Sequence, residues 1–87
     1  PEEKTKLTKE LRETVAMLVW LEPDDIKPNT SLSDVDLDSL GRVELIALVE
    51  KHLGAMLEEK DIPIIDTVAG IVEFAEKMET ELQARIS

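Results

Sequence analysis

Three aspartates, Asp34, Asp36 and Asp38, stand on alternate positions and run directly into Ser39 in the stretch DVDLDSLGRVEL, residues 34–45. Those residue types at that spacing offer three chemistries. The carboxylates can hold a cation, Ser39 can act as a nucleophile or an attachment point, or the stretch is a helix start with polar caps. The cation reading compares the aspartates with positions 1, 3 and 5 of an EF-hand loop. Position 6 should then be glycine but is Ser39, and position 12 should be a bidentate glutamate but is Leu45, with Glu44 one residue early. One residue along a helix rotates a side chain by about 100°, so Glu44 would point away from the ion. No metal site is expected here.

A catalytic serine needs a base within reach. The only histidine, His52, lies thirteen residues on along the same predicted helix, about 20 Å away at the helical rise. No lysine adjoins Ser39 and no glycine-rich loop cradles a phosphate. No catalytic residue is assigned, so if Ser39 reacts, another protein supplies the catalysis. A serine at the end of a long loop and the start of a helix suits attachment. A phosphate joined to it would sit at the positive end of the helix dipole, among unpaired N–H groups. Asp38 beside it is tolerated for the same reason. On physical grounds alone, a serine that merely starts a helix is the simpler reading.

The elements that must hold this stretch are helical. Apolar residues recur at three and four, and alternation with period two is nowhere sustained. Leu7, Leu11, Val15, Leu18 and Val19 form one stripe, predicting a helix over about 4–20. Pro23 stops it by pushing Glu22 out of the α region. A long connection follows, punctuated by Ile26, Leu32, Val35 and Leu37, which should pin it to the core. The second helix reads from Ser39 to Leu53, with Asp38 as its cap and Gly54 as its stop. Leu40, Val43, Ile46, Ala47 and Val49 give it a broad apolar face, widened by Leu45 and Leu48, and His52 suits its negative end. Pro63 limits the segment after Gly54 to one short turn or an irregular stretch. Asp66 and Thr67 offer caps for a last helix whose stripe is Val68, Ile71, Val72, Ala75 and Met78, with a frayed tail over about 79–87.

Composition narrows the partners. The chain has 87 residues, enough for a single domain over 1–87 that buries roughly 60–65% of its unfolded surface. Twenty acidic residues against ten basic ones give a formal charge of −10. That field repels nucleic acid and anionic membranes and steers the chain toward basic protein surfaces. Without cysteine there is no disulfide and no thiolate metal site. Trp20 and Phe74 are the only aromatics, so the core must be aliphatic. No stretch has the length of a membrane span, and a cytoplasmic monomer is the expectation.

The stretch LDSLGRVEL resembles the signature of acyl carrier proteins: Asp-Ser-Leu, two variable residues, then Val-Glu-Leu, here Asp38, Ser39, Leu40, Val43, Glu44 and Leu45. IKPNTSLSDVDL before it and DTVAGIVEFAEKM after it are similar to the family's lead-in and final helix, so the likeness covers about Leu7 to Met78. It implies an all-α fold: a small four-helix bundle of three main helices, one short helix and a long first loop. It implies that Ser39 carries covalent 4′-phosphopantetheine, transferred from coenzyme A by a phosphopantetheinyl transferase, so that a chain without cysteine holds acyl groups as thioesters. Asp38 and Leu40 would help the transferase recognise Ser39, and Glu44 and Glu50 would meet basic docking surfaces on the acyl-loading and acyl-processing enzymes. The acyl chain would enter between the second helix and the segment before the last, with Ile46, Val49, Ile62, Ile65 and Ile71 as candidate lining. The pathway implied is fatty-acid, lipid or polyketide synthesis. Aminoacyl, D-alanyl or peptidyl cargo is the alternative, and an unmodified acidic interaction protein is the alternative of another class. The sequence departs from the family's pattern at Gly41-Arg42, which sets positive charge near the recognition surface, at Asp36 where glycine is usual, and at Pro63. These departures suggest a specialised carrier, either free-standing or excised from a larger synthase.

Overall fold

In the computed structural model, which describes residues 2–86 with side chains from 5 to 85, three α-helices account for most of the chain. They are α1 (Glu2–Val19), α2 (Ser39–Leu53) and α3 (Val68–Ile86), and no strand occurs among the described residues. Two single 3₁₀ turns, Pro23–Asp25 and Glu59–Asp61, interrupt the connections. The second gives the short turn rather than the irregular stretch, the two readings expected around Pro63, so the fourth element of the bundle is only that long.

The three helices pack against one another around an aliphatic centre. Leu7, Leu11 and Val15 of α1 meet Leu45 and Val49 of α2 and Val68, Ile71, Val72 and Ala75 of α3 in one buried cluster. Full burial of an aliphatic side chain is worth about 1.5–3 kcal/mol. The long α1–α2 connection belongs to this core. Ile26 and Leu32 are fully buried and Leu37 nearly so, with Val35 packed behind them. Backbone bonds secure the same loop: Leu32 N–H donates to Asp66 O at 2.7 Å, and Ala69 N–H donates to Pro28 O at 2.8 Å. Arg12 reaches from α1 to donate to Ile26 O at 2.6 Å and Pro23 O at 3.0 Å. A loop held at this many points is a fixed part of the scaffold.

Helix ends explain the boundaries. α1 ends in a left-handed residue, Trp20 (φ 63°), with Leu21 N–H closing back on Ala16 O at 2.9 Å. α2 ends at Gly54 (φ 69°), whose N–H donates to Glu50 O. Thr67 starts α3, its hydroxyl accepting from Gly70 N–H at 3.0 Å. Asp66, read from sequence as an alternative cap, is engaged elsewhere. α3 is helical to Ile86, where the sequence predicts a frayed end; Leu82 is half-buried there, and Ser87 lies outside the described residues.

The largest correction concerns the face of α2. Its buried positions are Gly41, Leu45 and Val49, a stripe at every fourth residue, whereas Leu40, Val43 and Ala47 face solvent. Apolar residues lie almost all round this helix, so periodicity alone cannot choose the buried side.

Candidate attachment site

Ser39 is the first residue of α2 and is exposed, and its Oγ makes no hydrogen bond within the described residues. Three neighbours fix its backbone. Asp38 is extended (φ −87°, ψ −178°) and its carboxylate accepts from Gly41 N–H at 2.7 Å, while its carbonyl accepts from Arg42 N–H at 3.0 Å. Leu37 is buried directly beneath. A Cβ added to Gly41 would stand 2.5 Å from Leu37 Cδ1 and 3.0 Å from its Cγ, so Leu37 occupies the space that the missing side chain leaves. Asp36 takes the left-handed conformation (φ 63°) that turns the chain from the loop into this approach. The outcome is a serine facing outward on a backbone anchored from below. The three aspartates do separate jobs: Asp36 turns the chain, Asp38 caps α2, and the N–H of Asp34 donates to Ser31 Oγ at 3.2 Å.

One helical turn beyond Ser39, Arg42 points across the bundle. It donates to Ile65 O at 2.7 Å, to Asp66 Oδ1 at 2.7 Å and to Ser33 Oγ at 3.0 Å. Asp66 also accepts from Ser31 Oγ, from Ser33 Oγ at 2.7 Å and from Ser33 N–H at 3.0 Å. The Ser31 hydroxyl, followed by the Arg42 guanidinium and Ser33, holds the Asp66 carboxyl far below the usual carboxylate range. This knot joins the loop, α2 and the start of α3. It corrects the expectation that Arg42 adds positive charge to the recognition surface: its charge is turned inward onto Asp66.

Beside the knot lies a cleft of about 370 Å³ between α2 and residues 62–66, near the lower end of the range for small-molecule sites. Ile46, Ile62, Ile65 and Ile71 line it, together with Leu32 and Leu45. Arg42, Ser33 and Asp66 form its polar edge. Arg42 follows Ser39 by about 4.5 Å along the helix axis, so that edge is on the side nearest the serine. Val49, expected in the lining, is fully buried in the core instead, because it falls on the stripe of Gly41 and Leu45.

Comparison with known proteins bears on what this arrangement is for. The phosphopantetheine attachment site family matches residues 9–75. The chain is 31% identical over 72 residues to the meromycolate extension acyl carrier protein of Mycolicibacterium aurum, covering 82% of this chain and 74% of that protein. It is 32% identical over 73 residues to the acyl carrier protein of Rhodococcus erythropolis, covering 83% and 80%. The chain belongs to the acyl carrier protein family. Its prosthetic group is 4′-phosphopantetheine, and its role is to carry acyl groups, in exchange with the enzymes that modify and process them. A stretch of the non-reducing polyketide synthase sor2 of Hypocrea jecorina is also 34% identical over 71 residues, covering 82% of this carrier and 3% of that protein.

The carrier's other sequence-selected residues divide into two groups. Asp38, Leu40 and Glu44 are exposed on the first turns of α2, beside Ser39. Glu50 is half-buried, and its carboxylate accepts from Leu57 N–H at 2.7 Å, so it braces the segment after α2. His52 Nε2 lies 3.9 Å from Glu79 Oε2 of α3. No helix among the described residues is long and apolar enough to cross a membrane. Sequence reasoning missed the part played by Ser31, Ser33 and Asp66. The one available signal was Arg42, a long cation one turn after Ser39 with no acidic residue three or four positions away except Asp38.

Proposed function

We propose that Ser39 is the residue that bears the 4′-phosphopantetheine arm, and that the chain is a non-catalytic carrier whose chemistry is performed by its partners. The observation that carries this reading is the exposed, unbonded Ser39 hydroxyl on the first turn of α2. Three features of the site fit the group. The N–H groups of that first turn have no intrahelical acceptor, and the helix dipole favours a phosphodiester there. Leu37 beneath Gly41 keeps the serine at the surface. No histidine, cysteine or lysine adjoins the hydroxyl in sequence, so deprotonation falls to the transferase. When bound, the arm supplies the terminal thiol that the chain itself lacks.

Asp38, Leu40 and Glu44 are the residues we assign to partner recognition. Exposed carboxylates of this kind set encounter rate and selectivity more than affinity. Glu50 is assigned a structural role because it is half-buried, about three turns from Ser39, with its carboxylate bracing Leu57 N–H. The cleft behind Arg42 is assigned to the acyl chain. Its aliphatic lining favours an acyl cargo over an aminoacyl one, since the polar groups at its edge, Ser33, Arg42 and Asp66, already bond one another and offer a buried charged amine little. Likeness to acyl carrier proteins, one of them named for meromycolate extension, and to a polyketide synthase supports fatty-acid, lipid or polyketide synthesis as the setting.

The test is incubation with coenzyme A, magnesium and a broad-specificity phosphopantetheinyl transferase, followed by intact-mass measurement. The wild-type chain should gain one phosphopantetheine, and Ser39→Ala should gain none. A wild-type chain left unmodified beside a modified control carrier would favour the acidic interaction protein.

A further inference from the structure

The end of α1 carries an apolar patch that packing leaves unused. Trp20 is 93% exposed, Met17 is 69% exposed and Leu21 is 42% exposed. Trp20 occupies the left-handed position that closes the helix, with φ 63° and Leu21 N–H bonded back to Ala16 O. Glycine takes that conformation without steric cost, whereas a bulky residue in it is an outlier that calls for a reason. Nothing inside the fold supplies one, because the indole lies in solvent.

The patch adjoins the Ser39 end of α2. Leu18 and Val19 line the same small depression as Leu37, Leu40 and Gly41, and Trp20 follows Val19 by one residue. Leu40 and Val43, 74% and 65% exposed, continue the apolar surface along α2. Carboxylates surround it: Asp34, Asp36, Asp38 and Glu44 are all exposed, and no lysine occurs between Lys27 and Lys51. Arg42, the single cation in that interval, is committed to Asp66. The surface is therefore an apolar centre with an anionic rim, and it fits a partner with an apolar pocket edged by lysine or arginine.

Size identifies the partner. A stable interface covers about 800 Å² on each side, a disc about 16 Å in radius. Any enzyme that seats its reacting atoms on Ser39 covers the depression shared by Val19 and Leu40, and Trp20 lies one Cα–Cα step of about 3.8 Å beyond Val19. We infer that Trp20, with Met17 and Leu40, is the apolar anchor by which the phosphopantetheinyl transferase docks to present Ser39 to coenzyme A. This rests on Ser39 being the modified residue. Tryptophan is the type most enriched among the few residues that dominate interfaces. Its exposure leaves the ring available to the partner.

The experiment compares steady-state modification of the wild-type chain, Trp20→Gly and Trp20→Phe by a broad-specificity phosphopantetheinyl transferase with coenzyme A and magnesium. Trp20→Gly should raise KM for the carrier at least about tenfold with kcat within twofold, Trp20→Phe should recover most of the loss, and the Tm of Trp20→Gly should be no lower than wild type. Trp20 is also the only tryptophan, so 5-fluorotryptophan gives a single ¹⁹F resonance at this site. In a Ser39→Ala background, which permits titration without turnover, that resonance should shift saturably on adding the transferase. A KM unchanged in Trp20→Gly, or an unmoved resonance at saturation, would overturn this inference while leaving a modified Ser39 intact. A shift that follows carrier concentration without the transferase would also overturn it, since a second copy would then cover the patch. If the wild-type chain itself were never modified, the Ser39 reading would fail and this inference with it.

Discussion

Asp66 is the residue on which the site's shape most depends, because four donors from two segments, the α1–α2 loop and α2, converge on its carboxylate. Its folded pKa is depressed below the ordinary value of 3.8. The stability it contributes is therefore fully present above that value, and it is lost as pH falls through the unfolded pKa toward the folded one. Asp66→Asn should lower Tm at pH 7, and its difference from wild type should narrow as pH is taken below about 4. Thermal melts of both proteins across pH 7 to 2.5 check this, and a constant difference would contradict it. Asp36 gives the opposite case. It holds a left-handed backbone where the family's usual residue is glycine, and that conformation explains the family's preference. Asp36→Gly should be neutral or stabilising by up to about 1 kcal/mol, as two opposing backbone terms of that size nearly cancel. Urea unfolding measures it.

At the scale of elements, α2 shows what sequence could and could not deliver. Its two ends were legible because Asp38 and Gly54 act locally: one caps with its side chain, the other supplies a positive φ. Its buried face was not, since Leu40, Val43, Ile46 and Leu48 are as apolar as Leu45 and Val49 and only tertiary contact distinguishes them. The exposed Leu40 and Val43 lie where a partner would find them. The exposed place of Ser39 at the start of α2 was legible from the cap before it, and four of the five residues expected between α2 and the segment before α3 do line the cleft there. The Arg42–Asp66 knot was not, because it joins residues 24 apart through a loop with no regular period. Gly41 was read as a mark of subtype, but its reason is steric. Gly41→Val should cost about 1–3 kcal/mol, because its Cβ meets Leu37 at 2.5 Å and the packed loop has little room to yield. The check is a lowered urea midpoint at unchanged m. Loss of Leu37 burial would also release the chain beneath Ser39, so this variant should be modified more slowly.

At the scale of the molecule, a formal charge of −10 acts on every partner at once. Exposed carboxylates around Ser39 would steer a basic enzyme toward it, and salt would weaken that steering over a Debye length of about 10 Å at 0.1 M. Glu44→Lys should slow association with the transferase more than it speeds dissociation, and raising ionic strength should reduce the difference between variant and wild type. Stopped-flow measurements at two salt concentrations separate the two rates. If the variant changed only dissociation, at every salt concentration, electrostatic steering would be wrong. The most direct test of the whole account maps the modified residue. Proteolysis and tandem mass spectrometry of transferase-treated protein should place phosphopantetheine on Ser39 alone. An arm found on Ser31 or Ser33, whose hydroxyls are tied to Asp66, or on no serine at all, would contradict it.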